Sequence, residues 1–279
     1  MTRVCGVIGK SLRHSISAVF QQAAFDALGL DVRYHAWELA PEDMAAHLTR
    51  LQLPDALGCN VTIPYKLAVL PFLARRDSLV DQAGAANTLV NDQGILVGHN
   101  TDVGGFLRAL RTDGAFDPVG TEALLLGAGG AARAVAVALL AAGVTRLWIA
   151  NRSHQRAAEL AAALANDRVV VLPWHSPAFL DVLAGIQLIV NATPAGMLGP
   201  GVELSPLPES RLAPGAFVFD LVANPRETRL MREASENGAR VLGGLPMLVY
   251  QGAESFELWT GLRAPVAVMR QAAEGAMRG

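Results

Sequence analysis

Cysteine is almost missing from this chain: Cys5 and Cys59 are the only two in 279 residues. Neither belongs to a Cys-x-x-Cys pair and both sit in apolar runs. That argues against a disulfide framework or a thiolate metal centre and for two reduced, buried thiols. Charge is sparse as well, at 17% of residues, and it balances to a net −2. Such a chain presents no field for nucleic acid or an anionic membrane, although a few local cations would still serve a small anionic ligand. No grouping of His, Asp and Glu has metal-ligand spacing, and no Gly-x-Ser-x-Gly elbow occurs, so metal and acyl-enzyme chemistry find no support. Long hydrophobic runs are also lacking. Mean hydropathy is +0.31, yet Gly, Pro or a charge interrupts each apolar stretch before it reaches spanning length. Met1-Thr2-Arg3-Val4 leads straight into a strand-like run with no signal-peptide core, so a cytoplasmic location is expected.

What is present is apolar residue in quantity, 52% of the chain, which describes a folded protein with one large core or two modest ones. Val4–Ile8 reads as a buried strand. Ser17–Leu28 has helical spacing and stops at Gly29, and Val32–Leu39 is strand-like. Pro41-Glu42-Asp43 opens a helix, with Pro and acids where a first turn favours them, and Leu57–Thr62 is a third strand. A second series starts near Thr121, with strands at Ala123–Leu126, Leu147–Ala150, Leu188–Asn191 and Ala216–Asp220 separated by helical stretches. Alternation of this kind predicts an α/β protein with parallel, doubly wound sheets in two units. The boundary is expected near Gly104-Gly105, bridged by a helix over Phe106–Leu110.

Gly127, Gly129 and Ala132 fit Gly-x-Gly-x-x-Gly/Ala between a strand and a helix. The first Gly permits the tight turn, the second admits a pyrophosphate close to the backbone, and the third small residue lets helix and strand pack. A Gly-rich structural turn is the bland rival, and the strand–helix context favours the dinucleotide. The next strand ends Ala150-Asn151-Arg152-Ser153, with no acid to accept a ribose 2′-hydroxyl. Arg152, with Arg156 a turn later, would instead pair with a 2′-phosphate, which points to NADP. As plain solvated arginines the two residues would satisfy the same pattern.

Asn60-Val61-Thr62-Ile63-Pro64-Tyr65-Lys66 carries a strand into a Pro-bearing loop. Reducing a ketone by hydride leaves an alkoxide, which a Lys ammonium protonates as general acid while a carboxylate orients it. Asn100-Thr101-Asp102 offers that carboxylate. A surface lysine at 66 and an N-cap aspartate at 102 fit the same spacing, and periodicity does not choose between them. Likewise Ser15 and Ser17 could hold a carboxylate or cap a helix, and the amides of Asn87 and Gln251 could serve turns or a ligand.

The ordered motifs resemble the shikimate dehydrogenase family over essentially the whole chain. They are His14-Ser15-Ile16-Ser17, Asn60 to Lys66, Ala83 to Thr88, Gly98 to Asp102, Gly127 to Ala131, Asn151-Arg152-Ser153, Asn191 to Met197 and Gly244 to Gln251. The resemblance implies an N-terminal substrate domain with a mostly parallel sheet over residues 1–104, completed by C-terminal helices over about 247–279. A Rossmann NADP-binding domain over 105–246 would follow, with a cleft between the two. It implies reversible NADPH-dependent reduction of 3-dehydroshikimate, on the route to chorismate and aromatic amino acids, by a monomer or homodimer. Lys66 and Asp102 would be the catalytic pair, Ser15 and Ser17 the carboxylate clamp, and Thr62, Asn87 and Gln251 the holders of ring hydroxyls and the reacting oxygen. Gly127, Ala128, Gly129, Gly130 and Ala131 would cradle the pyrophosphate, and Asn151, Arg152, Ser153 and Arg156 would surround the adenosine phosphate. Thr193, Leu221 and Gly244 would complete the cofactor's path.

Departures from the family pattern are Ala18 and Gln21-Gln22 after the serine motif, Ser153 for the common Thr, and Ala223 where a Tyr is usual beside substrate and nicotinamide. A phenol-sized space at 223 predicts weaker or broader substrate binding. The alternatives are a quinate or aminoshikimate dehydrogenase paralogue, one functional group away, and a non-catalytic NADP-binding sensor, for which Lys66 and Asp102 would have no chemical use.

Overall fold

The computed structural model describes residues 2–207, 212–213 and 215–277. Met1 and the last two residues of the expected C-terminal helices, 278 and 279, lie outside them. The chain divides into two compact units, residues 1–105 with 249–279, and residues 106–248.

The first unit holds β1 (Arg3–Gly9), α1 (Ser17–Ala27), β2 (Val32–Glu38), α2 (Met44–Arg50), β3 (Ala56–Val61), β4 (Arg75–Arg76), α3 (Ser78–Ala83), β5 (Thr88–Asp92) and β6 (Ile95–His99). Its sheet, six-stranded among the described residues, runs β2-β1-β3-β5-β6-β4. The β1–β2, β1–β3 and β4–β6 pairs are parallel, whereas β5 is antiparallel to both β3 and β6. The β5–β6 hairpin was not among the strands expected from periodicity. It closes through Gln93-Gly94, both at positive φ (52° and 90°), the backbone a type I′ turn demands and Gly supplies without strain. Asn91 Oδ1 accepts from the Gly94 N–H at 2.8 Å and secures the turn.

Every residue of β3 is buried, and Ile8, Leu48, Leu51, Cys59, Val61, Val69, Val80, Leu89 and Leu96 form the cluster around it. Burial pushes the thiols of Cys5 and Cys59 up, so both stay protonated and unreactive. The chain's last helices, α9 (Leu245–Thr260) and α10 (Val266–Ala276), follow the second unit in sequence. In the first unit α10 packs against α1. Gly252 on α9 is required there: a Cβ would sit 2.5 Å from the Phe20 ring, which is itself fully buried. Filling that contact with a side chain would mean overpacking of about 1–3 kcal/mol.

Two local expectations change. Ser17 is the first residue of α1 and Ile16 occupies the cap position, with no side-chain cap. The bridging helix is α4 (Asp102–Thr112), which starts at Asp102 and runs through Gly104-Gly105. Asp102 is therefore inside the helix, and the dividing point of the two units falls within it. The expectation placed Gly104-Gly105 ahead of the helix; inside α4, a Cβ at Gly105 would meet Gln251 N at 2.7 Å. Close packing on α9 explains them.

The second unit comprises β7 (Glu122–Leu126), α5 (Gly130–Ala141), β8 (Arg146–Ala150), α6 (His154–Leu164), β9 (Val169–Leu172), α7 (Pro177–Gly185), β10 (Leu188–Asn191), β11 (Phe217–Asp220), α8 (Arg229–Glu236) and β12 (Arg240–Leu242). Its strands are all parallel in the order β12-β11-β10-β7-β8-β9. This is the doubly wound dinucleotide-binding order, whose direction reverses between β7 and β10, where ligands of such sheets bind. Among the described residues, no helix is long and apolar enough to cross a membrane.

Candidate active site

In the first unit, the C-terminal end of β3 and the loop after it deliver Lys66, and β6 leads directly into Thr101 and Asp102. Lys66 Nζ donates to Asp102 Oδ2 at 2.5 Å, with only 13% and 5% of the two side chains exposed. Two partners donate to this nearly buried carboxylate. Asn87 Nδ2 donates to the other oxygen, Oδ1, at 2.9 Å. Asp102 thus spends its oxygens on Lys66 and Asn87, and among the described residues it makes no helix-capping bond.

Asn87 also reaches Thr101 Oγ1 at 2.8 Å and Gln251 Oε1 at 3.1 Å. Its orientation is fixed by a backbone group, because the Thr101 N–H donates to Asn87 Oδ1 at 2.8 Å. A peptide N–H can only donate, so the amide oxygen must face Thr101 and the amide nitrogen must face Asp102. Lys66, Asp102, Asn87 and Gln251, drawn from four places in the chain, thus form one hydrogen-bonded cluster. Ser15, Ser17 and Thr62 lie half-buried, and no hydrogen bond among the described residues joins them to it. Ser15 Oγ instead accepts from the Ser17 N–H at 3.4 Å.

Sequence reasoning gave no role to the groups behind the cluster. Asp77 caps α3 through the Val80 N–H at 2.7 Å, and its other oxygen meets His99 Nδ1 at 3.1 Å and the Asn100 N–H at 3.4 Å. Burial alone would raise the Asp77 carboxyl, but these donors outweigh it and hold it below the usual range. Asp77 thereby anchors the segment that carries Asp102. Thr88, Thr101, Asn60, Ser255 and Tyr34 form a second buried polar layer, discussed below. An Asp before an apolar helical run was a legible cap signal; the polar layer had none.

In the second unit, Gly127 takes φ +118°, and a Cβ there would lie 3.0 Å from the Ala192 carbonyl oxygen, so the turn after β7 needs glycine. Around Gly129 the space is open, with nothing within 4 Å of a Cβ position. That residue caps α5, which has no side-chain cap hydrogen bond. The N-terminus of α5 therefore presents peptide N–H groups and its dipole to an open cradle, as an anion requires. Its other end is fixed by burial of Ala132 and Ala134–Leu139. After β8, Arg152 and Arg156 are exposed and carry no ion pair among the described residues. Ser153 Oγ caps α6, accepting from the Arg156 N–H at 3.4 Å, and Asn151 Nδ2 donates to the Ser153 carbonyl at 2.9 Å. A cradle that a Cβ would fill, an uncapped helix start and two unspent cations fit a phosphorylated dinucleotide.

The remaining cofactor candidates stand on the adjacent loops. Asn191 Oδ1 accepts from Thr193 N and Oγ1 at 3.0 and 2.7 Å, and Asn191 Nδ2 donates to Asp220 at 2.9 Å. Burial pushes the Asp220 carboxyl up, against three donors that pull it down. At Gly244 a Cβ would collide with the Leu221 carbonyl, so this glycine is fixed by backbone packing whatever else it contacts. Ala223 lies half-buried two residues beyond Leu221.

Fold and geometry together define an α/β protein of the dinucleotide-binding class with a part-buried lysine–carboxylate pair. Comparison with known proteins agrees. Residues 7–89 match the shikimate dehydrogenase substrate-binding domain, 114–237 the shikimate/quinate 5-dehydrogenase family, and 244–274 the shikimate 5′-dehydrogenase C-terminal domain. The shikimate dehydrogenase (NADP+) of Moorella thermoacetica is 45% identical, covering 99% of this chain and 94% of that protein. That of Desulforamulus reducens is 41% identical over 96% and 94%. The crystal structure of the Thermus thermophilus shikimate 5-dehydrogenase, in complex with NADP(H) and shikimate, superposes with a TM-score of 0.88. It has 38% identity and covers 98% of this chain and 99% of that one. The chain belongs to the shikimate dehydrogenase family.

Proposed function

We propose that this protein is a shikimate dehydrogenase, catalysing the reversible NADPH-dependent reduction of 3-dehydroshikimate to shikimate. The observation that carries the reading is the buried 2.5 Å contact of Lys66 with Asp102, held from behind by Asn87, in a chain of this family. A sensor would gain nothing from burying such a pair, since taking two charges out of water is costly unless they are used or fully paired.

NADPH, when bound, supplies the hydride. Lys66 Nζ, one of whose protons is committed to Asp102, has others to give to the oxygen that becomes the alcohol, and takes one back in the oxidation direction. Asp102 holds and aims the ammonium. Gln251 Oε1 and Asn87 hold ring hydroxyls, Ser15 and Ser17 take the carboxylate, and Thr62 contributes a further hydroxyl. Gly127, Ala128, Gly129, Gly130 and Ala131 hold the pyrophosphate, and Asn151, Arg152, Ser153 and Arg156 the adenosine 2′-phosphate. Thr193, Leu221 and Gly244 lie along the rest of the cofactor. In this scheme residues 1–104 with about 247–279 are the substrate domain and 105–246 the NADP domain. The working unit is a monomer or homodimer in the cytoplasm.

The test offers shikimate and quinate to purified protein, each with NADP and with NAD, and follows nicotinamide absorbance. Turnover with shikimate and NADP far above the other three combinations is expected. A preference for quinate or NAD, or no turnover at all by folded protein, would overturn the assignment.

A further inference from the structure

We propose that Thr88 and Ser255 are positioning residues, which order a one-way chain of hydrogen bonds that sets Asn87 and, through it, the Lys66–Asp102 pair. The proposal rests on the functional reading above.

The direction of the chain follows from its ends. At one end the Thr101 N–H must donate, and it locks Asn87 Oδ1. At the other end the Gln251 carbonyl must accept, and Ser255 Oγ, one helical turn along α9, donates to it at 2.9 Å. The Ser255 hydroxyl proton is thereby spent. Thr88 Oγ1 lies 2.7 Å from Ser255 Oγ and 3.3 Å from Asn87 Oδ1, and it gives its one proton to the nearer Ser255 Oγ. With its own proton spent, Thr88 accepts from the Thr101 hydroxyl at 3.3 Å and from Asn60 Nδ2 at 3.1 Å. Thr101 Oγ1 in turn accepts from Asn87 Nδ2 at 2.8 Å. Protons thus point from Asn87 through Thr101, Thr88 and Ser255 to a peptide carbonyl. Asn60 is held alongside, donating to Ser255 Oγ at 2.9 Å and accepting from the Tyr34 hydroxyl at 2.8 Å.

Thr88 and Ser255 are fully buried, so no bulk water replaces a missing hydroxyl, and a buried polar layer behaves as a unit. Losing the Thr88 hydroxyl deprives Thr101 of one acceptor. The direct Thr101–Ser255 contact at 3.2 Å leaves a longer bypass, and losing both hydroxyls severs the path. Asn87 has two N–H groups and three acceptors within 3.1 Å. When Thr101 is no longer oriented to receive one of them, the amide is free to tilt away from Asp102. Tilting Asn87 acts on turnover through Asp102 and on the shikimate KM through the ring hydroxyl that Asn87 holds, and leaves NADP affinity unchanged.

The experiment measures kcat, the shikimate KM and NADP affinity for wild type, Thr88→Val, Thr88→Ser, Ser255→Ala and the Thr88→Val/Ser255→Ala pair. It also records exchange of the Asn87 side-chain amide protons by NMR. Thr88→Val is expected to lower kcat about tenfold, with a smaller rise in the shikimate KM, NADP affinity within about twofold, and faster amide exchange. Thr88→Ser, which keeps the hydroxyl and loses the methyl, should retain kcat within about twofold. The double variant should fall below the product of the two singles. Wild-type kcat in Thr88→Val, equal losses in the Val and Ser variants, or a change confined to KM would each overturn the proposal. If Thr88→Val is not recovered folded, Thr88→Ala against Thr88→Ser makes the same comparison, since only the hydroxyl distinguishes them. Inactive wild type with slow Asn87 exchange that Thr88→Val accelerates would instead refute the functional reading alone.

Discussion

Replacing Asp102 with Asn keeps its shape but reverses one of its two contacts. In the native site both neighbours donate: Lys66 Nζ to Oδ2 and Asn87 Nδ2 to Oδ1. An amide offers one acceptor, so its NH2 group must face either the lysine ammonium or the Asn87 amide. Asn87 has no way to turn over to meet it, because the Thr101 N–H holds its oxygen. A donor–donor conflict in a nearly closed site costs about 1–3 kcal/mol, and the ammonium loses its charged partner as well. If Lys66 is thereby removed from effective proton transfer, the loss is the whole general-acid contribution. That contribution is about 10²–10⁴ in kcat, or about 2.7–5.4 kcal/mol on the barrier. The assay is steady-state reduction with saturating NADPH, paired with NADP affinity and thermal unfolding. Asp102→Asn is expected to be no faster than Asp102→Ala, with NADP affinity unchanged. An Asn variant within threefold of wild-type kcat would refute the reasoning, because a neutral isostere would then be orienting Lys66 as well as the carboxylate does.

Arg152→Ala should weaken NADPH by roughly 10–100-fold, the worth of a charged hydrogen bond of about 1.5–3 kcal/mol, and leave NADH almost unaffected; equal loss for both would contradict the 2′-phosphate assignment. Ala223→Tyr should change the KM for shikimate if that space is open to substrate, and an unchanged KM would dispose of the idea. Asp77 contributes to acid stability with a definite sign. Its folded pKa lies below its ordinary value of 3.8, so the stabilisation is fully present above that value and is lost as pH falls through the lower folded one. The stability gap between wild type and Asp77→Asn, read by urea unfolding at a series of pH values, should therefore shrink below about pH 4. A gap that stayed constant or widened on acidification would exclude the ionised cap.

The sequence by itself determined what depends on neighbours along the chain. The Gly127–Ala132 turn was legible because strand, glycine spacing and helix lie within a dozen residues and each has a local reason. The parallel strands β7, β8, β10 and β11 followed from alternating strand and helix periods, whereas β9, β12 and the order of the sheet did not, and the dinucleotide preference followed from Arg152 where an acid would otherwise stand. Resemblance supplied the names of Lys66 and Asp102, but spacing alone allowed a surface lysine and a helix cap. The hairpin of β5 and β6 is not legible in the sequence because Gln93-Gly94 is a weak form of the turn signal. Only the tertiary structure decided that Asp102 faces Lys66 from 36 residues away, that Asn87 and Gln251 meet across 164, and that Ser255 closes the polar layer behind them. The physical reason is that a hydroxyl or an amide carries no period. Its role is set by which donor or acceptor the folded chain places within 3 Å of it in a space that water does not enter.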